Sequence, residues 1–201
     1  MKNTLIATVW FDDSIKLAVK QLNISKLILL EDEKPKDQQQ KMIQDLTNFY
    51  KNIVEIKIEK IPKYDILEIV KKCMNIIEEE SKESIVYVDV TQGKRTQFLG
   101  ILFATYKKFE KVKQIIYAKE VGEKEYELMY LPKLKFTHTD QKILQAMQEG
   151  KTKNQIFEGE NKLVSKGTYY TKMNELEQQG FVEKKGTEYS LTESGKIMAM
   201  E

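Results

Sequence analysis

Ser84-Ile85-Val86-Tyr87-Val88-Asp89-Val90-Thr91-Gln92-Gly93-Lys94-Arg95-Thr96-Gln97-Phe98-Leu99-Gly100 is the stretch on which the fold turns. Ile85 to Val90 is an almost unbroken apolar, β-branched run, the pattern of a strand covered on both faces in a parallel sheet. From Thr96 to Phe109 the reading is helical, with Phe98, Leu99, Leu102 and Phe103 expected on the inward side. Between them Thr91 to Arg95 is a polar loop with one glycine and two adjacent cations. In open α/β sheets ligands sit outside the carboxyl ends of the strands, where such a loop lies. A helix opening there offers free N–H groups and the positive end of a dipole, which favours anions. Of the 33 Lys and Arg residues one is Arg, and it is Arg95. Its planar fork suits phosphate. An ordinary turn carrying two solvated cations fits the same residues.

Upstream, the chain alternates strand and helix. Thr4–Val9 reads as a first buried strand, followed by the turn Trp10-Phe11-Asp12-Asp13, with Asp13 or Ser14 capping a helix striped by Ile15, Val19 and Leu22. Lys26–Leu30 is a second strand, and Asp37 to Lys51 a second helix with Met42, Ile43 and Leu46 inward. Ile53–Ile61 is a third strand near an edge, closed by Pro62. The helix from Asp65 to Glu80 buries Ile66, Ile69, Val70, Cys73 and Ile77, which makes Cys73 a core residue rather than a nucleophile. Gln114–Ala118 is the fifth strand, and Glu125–Tyr130 an antiparallel edge strand after Gly122. The order implies an α/β, Rossmann-like, mostly parallel sheet with flanking helices and right-handed crossovers. With the first strand beside the fourth, Trp10-Phe11-Asp12 and Thr91–Arg95 bound one crevice. No Gly-x-Gly-x-x-Gly follows the first strand. Gly93-Lys94 is not a Walker A loop, since Val88 and Arg95 replace its first Gly and its Ser or Thr.

Leu131 to Lys135 breaks the alternation and reads as a linker between a domain at 1–130 and one at 136–201. Thr137-x-x-Asp140 caps a helix with Ile143, Leu144 and Met147 inward, and His138 lies on the surface. Lys153–Phe157 is a short second helix ended at Gly159. Ser165 caps a third, from Lys166 to Gln179, with Tyr169, Met173 and Leu176 inward and Gly180 at its end. Phe181–Leu191 is a hairpin around Gly186, and Thr192 caps a final helix.

Bulk properties narrow the classes. A chain of 201 residues with net charge +2 has no basic tail, and 41% apolar with 32% charged residues describes a soluble globule. No apolar run approaches the roughly 20 residues of a bilayer span. The N-terminus lacks a signal-peptide pattern, so the expectation is a cytoplasmic protein without a membrane partner. One cysteine excludes an internal disulfide and a Cys-rich zinc site, and one histidine a His-rich one. No metal ligand, catalytic residue or cofactor is assigned.

Residues 136–201 resemble a winged helix-turn-helix domain, through the Ser165-to-Val182 run and the Leu191-Thr192-x-x-Gly195 ending. The resemblance implies that the third helix enters a major groove of double-stranded DNA. The implied contacts are Lys153, Ser165, Lys166, Thr168, Tyr170, Thr171, Lys172 and Asn174, with Lys184 and Lys185 on the wing. From Phe136 onward there are 9 Lys, no Arg and 10 Asp plus Glu. A protein-binding or structural module therefore stays open.

Asp89-x-Thr91-x-Gly93-Lys94 resembles the signature of CRISPR-associated Rossmann-fold (CARF) sensor domains, some of which carry a C-terminal winged helix and look like transcription regulators. Gln92 departs from that pattern, where Gly or Ser is usual. The resemblance implies a homodimer that binds a cyclic oligoadenylate second messenger of antiviral defence, cyclic tetra-adenylate in the first instance, across its two-fold axis. The implied ligand contacts are Trp10, Phe11, Asp12, Thr91, Gln92, Gly93, Lys94, Arg95 and Thr96. Two other readings stay open: a ring nuclease that cleaves the same ligand, and a regulator sensing another phosphorylated ligand.

Overall fold

The computed structural model describes residues 2–122, 125–131, 136–158, 162–186 and 188–200. The chain divides into two compact units, Met1–Leu134 and Lys135–Glu201. In the first, β1 (Lys2–Thr8), α1 (Asp13–Gln21), β2 (Lys26–Asp32), α2 (Asp37–Tyr50), β3 (Glu55–Ile61), α3 (Ile66–Glu80), β4 (Ser84–Asp89), α4 (Arg95–Lys107), β5 (Val112–Gly122) and β6 (Glu125–Leu131) follow in turn. They form one six-stranded sheet in the order β3-β2-β1-β4-β5-β6, parallel except for β6. This is the expected Rossmann-like α/β sheet with flanking helices. The β1–β4 pairing aligns Ala7 with Asp89, so the chain leaves the sheet centre in opposite directions at those two strand ends.

Alternation along the strands splits the core into two layers. Leu5, Ala7 and Val9 pack with Ile15, Ala18 and Val19 of α1 and Ile43, Leu46 and Tyr50 of α2. The intervening Ile6, Ile28, Leu30, Val86 and Val88 are equally buried and by alternation face the α3–α4 layer. There α4 has the expected helical period but not the expected phase. Its buried residues are Gln97, Gly100, Ile101, Ala104 and Thr105, whereas Phe98, Leu102 and Phe103 are half-buried and Leu99 is exposed. Close approach to α3 is the reason. A Cβ on Gly100 would lie 2.6 Å from Ile69 Cγ2, so small residues must face α3 and the large ones turn away. Two smaller differences occur. Neither Asp13 nor Ser14 caps α1: Asp12 occupies the cap position without a side-chain cap bond, and Ser14 is buried. β5 extends to Gly122 because its antiparallel ladder with β6 continues beyond the end of β4.

Of the expected linker, Leu131 closes β6, and 132–135 lie outside the described residues, as do Gly159 and Thr187. The second unit holds α5 (His138–Gln148), α6 (Lys153–Phe157), α7 (Lys166–Gln178), the antiparallel pair β7 (Val182–Lys185) and β8 (Glu188–Leu191), and α8 (Glu193–Ala199). Local capping chemistry sets the helix starts. Thr137 exchanges hydrogen bonds with Asp140, and Ser165 and Thr192 accept from the N–H groups of Thr168 and Gly195. Ile143, Leu144, Tyr169, Met173 and Leu176 are buried. No helix among the described residues is long and apolar enough to cross a membrane.

Candidate functional site

The loops leaving β1 and β4 meet at the switch point of the sheet, and Gln92 joins them. The N–H groups of Trp10 and Phe11 both donate to Gln92 Oε1, at 2.6 and 2.7 Å. Gln92 Nε2 donates to Ser14 Oγ, and Thr8 Oγ1 donates to the Gln92 carbonyl at 2.6 Å. A carboxamide suits this place because it accepts at one end and donates at the other. Gln92 is buried, and its side chain is spent on holding the first loop. It shapes the crevice from below rather than facing into it.

Thr91 is tied down in the same way. Its N–H donates to Asp89 Oδ1 at 2.8 Å and its hydroxyl donates to the same oxygen, while the hydroxyl accepts from Ala118 N–H at 2.7 Å. Burial raises the Asp89 carboxyl from 3.8 to about 6, against the opposing hydrogen bonds from Thr91 and Ser14. Asp89 Oδ2 and Trp10 Nε1 are buried and have no hydrogen-bond partner among the described residues.

The two cations open α4. Gly93 takes φ +100°, a conformation that side chains other than glycine's resist, and turns the chain into α4. Lys94 occupies the N-cap position of α4, and its Nζ sits 4.4 Å from the centroid of the Trp10 ring. Arg95 is exposed and makes no ion pair among the described residues. Thr96 Oγ1 donates to the Lys63 carbonyl at 2.7 Å, and Asp12 pairs with Lys16. Phe11 stacks on Tyr126 of β6, centroids 6.0 Å apart at 23°. Of the nine expected contacts, Trp10 and Lys94 meet beside the β1–β4 strand ends, Phe11 packs on Tyr126, and Gly93 turns the chain into α4. Thr91, Gln92 and Thr96 are engaged in holding the loops, while Asp12 pairs with Lys16 and Arg95 stands exposed at the start of α4.

Sequence reasoning missed Thr8, Ser14, Asp32, Gln97 and Tyr126. Gln97 stands three residues after the N-cap, where a carboxamide can reach back to the cap N–H, so it had a readable signal. Asp32 and Tyr126 acquire their places through sheet order alone. The arrangement offers an anion two cations and the start of a thirteen-residue helix, beside an aromatic ledge on which a planar base can lie. No group of three or more metal-ligating side chains occurs among the described residues. Cys73 is buried and its thiol is pushed up to about 12, so it is unreactive.

In the second unit the expected DNA contacts fall on three elements. Lys166, Thr168, Tyr170, Thr171 and Asn174 lie exposed on α7, and Lys153 on α6. Ser165 and Thr168 share a hydrogen bond of 2.8 Å at the start of α7. Lys172 departs from expectation. It is ion-paired with the buried Asp140 at 3.2 Å and with Glu175 at 2.7 Å, and these bonds raise its pKa. It therefore braces α7 against α5. Lys185 pairs with Glu183 at 2.7 Å, and Lys184 Nζ lies 5.5 Å from the Tyr189 ring. Tyr189 OH donates to Asn174 Oδ1 at 3.5 Å, a long contact linking the hairpin to α7. A groove of about 860 Å³ is walled by the α5–α6 turn, α6, the start of α7, β8 and α8, with Lys153, Asn154, Tyr169, Tyr170 and Tyr189 among its lining.

No curated protein matches the chain. Among solved structures, Csm6 from Enterococcus italicus, bound to cyclic hexa-2'-fluoro-hexa-dAMP, is similar at TM-score 0.54 and 11% identity, over 98% of this chain and 53% of its own. Protein VC1899 from Vibrio cholerae gives 0.52 at 9%, over 98% and 64%. Can2 from Sulfobacillus thermosulfidooxidans, in complex with cyclic tetra-adenylate, gives 0.49 at 14%, over 98% and 63%. The chain thus spans less than two thirds of the length of each, and the likeness to the first two is one of fold. A family model described as HFX_2341_N:-like, N-terminal matches residues 3–121, more than half of the chain, and the chain belongs to that family.

Proposed function

We propose that the chain is a homodimeric, DNA-binding transcription regulator that senses cyclic oligoadenylate in CRISPR antiviral defence. In this reading 1–130 is the sensor, 131–135 the linker and 136–201 a winged helix-turn-helix. The observation that carries it is the juxtaposition of Lys94 and Arg95, at the start of α4, with the Trp10–Phe11 ledge across the β1–β4 crevice. A ring of adenylates presents phosphates at its centre and bases around it. The first match the cations and helix N–H groups, and the second match the aromatic ledge. The solved complex of Csm6 with a cyclic hexanucleotide analogue supports the class of ligand.

The large residues of α4 support dimerisation. Phe98, Leu99, Leu102 and Phe103 leave an apolar face beside the loop, with Leu99 40% exposed. Pairing two copies there brings two sets of Lys94 and Arg95 to one two-fold axis, as a symmetric ring requires. Helices α5 to α8 with the β7–β8 hairpin support the winged-helix assignment, and exposed Lys153, Lys166 and Lys184 supply phosphate contacts for DNA. Cleavage of the bound ring is the second reading, since Lys94 and Arg95 can also stabilise charge on an attacked phosphate.

Titration calorimetry with cyclic tetra-adenylate and cyclic hexa-adenylate, followed by chromatography of the nucleotide and gel retardation of double-stranded DNA, tests this. The regulator binds a ring, returns it intact and changes its retention of DNA. Linear product assigns the nuclease instead. No heat with either ring refutes the sensor assignment and leaves another phosphorylated ligand.

A further inference from the structure

At the opening of α4 the Lys94 N–H donates to Gln97 Oε1 at 2.9 Å. The other end of the same carboxamide, Gln97 Nε2, donates to Asp32 Oδ1 at 2.6 Å, across 65 residues of sequence. Both side chains are 1% exposed. Donor and acceptor chemistry dictates which way round the amide lies, because a carboxylate accepts and a backbone N–H donates. Reversed, it would set NH₂ against the Lys94 N–H and a carbonyl against the carboxylate. Asp32 is itself held from the first loop, since its N–H donates to Gln39 Oε1 at 3.3 Å and Gln39 Nε2 donates to the Val9 carbonyl at 3.3 Å. The loop rests directly on this amide: a Cβ at Gly93 would stand 3.2 Å from Gln97 Oε1.

We infer that Asp32 is a positioning residue for the anion-gripping loop. By orienting the Gln97 amide, it sets the direction of the Lys94 N–H and thereby the path of Gly93, Lys94 and Arg95. The inference rests on the proposed function for the identity of the ligand and on the hydrogen bonds alone for the geometry. No such role attaches to a buried carboxylate that merely fills the core.

The test uses the full chain carrying Gln97→Glu, alone and combined with Asp32→Asn. In Gln97→Glu two carboxyl groups meet where a donor and an acceptor met. Exchange is compared with wild type at rising pH, because two facing carboxyl groups can share one proton and keep the bridge until that proton is removed. In the double variant the carboxamide introduced at position 32 can donate to the carboxylate introduced at position 97, whose other oxygen still accepts from the Lys94 N–H. Hydrogen exchange of the Lys94 amide, followed by NMR, is expected to quicken about tenfold or more in the single variant, the size of one buried hydrogen bond, and to return towards the wild-type rate in the double. Affinity for cyclic tetra-adenylate should fall with the single variant and recover in part with the double. Unchanged exchange in Gln97→Glu, or no restoration in the double variant, overturns the inference. If Gln97→Glu does not fold, the double variant decides: a folded chain with a protected Lys94 amide supports the relay, and an unfolded one overturns it. A ring that the wild type does not bind refutes the proposed function and leaves the exchange result to judge the relay. A ring that binds wild type and Gln97→Glu equally overturns the role in ligand binding.

Discussion

Burial sets the chemistry of Asp89. Its carboxyl is raised from 3.8 to about 6 in the fold, so the folded state holds the proton more tightly than the unfolded chain does. The stability this contributes is present below the unfolded value and is lost as pH rises through about 6. At neutral pH the ionised group therefore costs on the order of 3 kcal/mol. Asp89→Asn is expected to raise the thermal midpoint at neutral pH and to flatten its dependence between acid and neutral pH. A midpoint that follows pH as in wild type would contradict this. At the opening of α4, Lys94→Ala with Arg95→Ala removes two charge-assisted contacts of about 1.5–3 kcal/mol each per protomer. Ring affinity should drop by several orders of magnitude with little change in stability. Lys113→Ala, exposed near the start of β5 at the other end of the sheet, is the control. Lys108 would be a poor one, because it pairs with Glu78 at 3.0 Å. Equal calorimetric affinity of the double variant and wild type would make the loop an ordinary turn. Gly93→Val is no selective probe of the loop. At φ +100°, with Thr8 Oγ1 3.0 Å from the would-be Cβ, it strains the backbone whatever the ligand.

Two helices invite tests as elements. α4 directs Gly100 and Ala104 into the core and leaves Leu99 at the surface. Leu99→Asp should leave the fold intact and shift sedimentation from dimer to monomer, because one charge in an apolar interface outweighs the contacts left around it. A dimer persisting at micromolar concentration would place the interface elsewhere. α7 and the neighbouring hairpin carry lysines of two kinds. Lys166 and Lys184 contact aromatic rings and remain available to phosphates, whereas Lys172 is engaged by Asp140 and Glu175. Lys166→Ala with Lys184→Ala should weaken retention of DNA and lower the salt slope by roughly one per lost phosphate contact per site. Lys172→Ala should lower stability by about 1–3 kcal/mol by leaving the Asp140 charge buried without its cation. The idea that α7 reads DNA fails if the first pair leaves retardation unchanged.

For the whole molecule, the proposed function puts sensing and DNA binding at two sites on one chain, and linkage between two such sites is reciprocal. If the ring changes affinity for DNA by some factor, DNA must change affinity for the ring by that same factor. Titrating the ring into free and DNA-bound protein should return equal coupling in both directions. Zero coupling one way would leave the two units as independent binders. The sequence by itself determined much of what depends on near neighbours, though not the cap of α1, where Asp12 stands without a side-chain bond. The alternation of strands and helices along the chain and the starts of α5, α7 and α8 follow from apolar period and from the caps Thr137, Ser165 and Thr192, because those signals lie within a few residues. The loop at Thr91 to Arg95 was legible for the same reason, whereas the switch point depended on β1 lying beside β4, a pairing across about 80 residues. Tertiary structure alone decided which face of α4 is buried, since that depended on how closely Gly100 approaches Ile69. It also decided that Gln92 holds Trp10 and Phe11, that Lys172 answers Asp140, and that Asp32 meets Gln97. Each of these joins residues far apart in sequence, and a polar side chain shows nothing in its own neighbourhood of the partner that folding will bring to it.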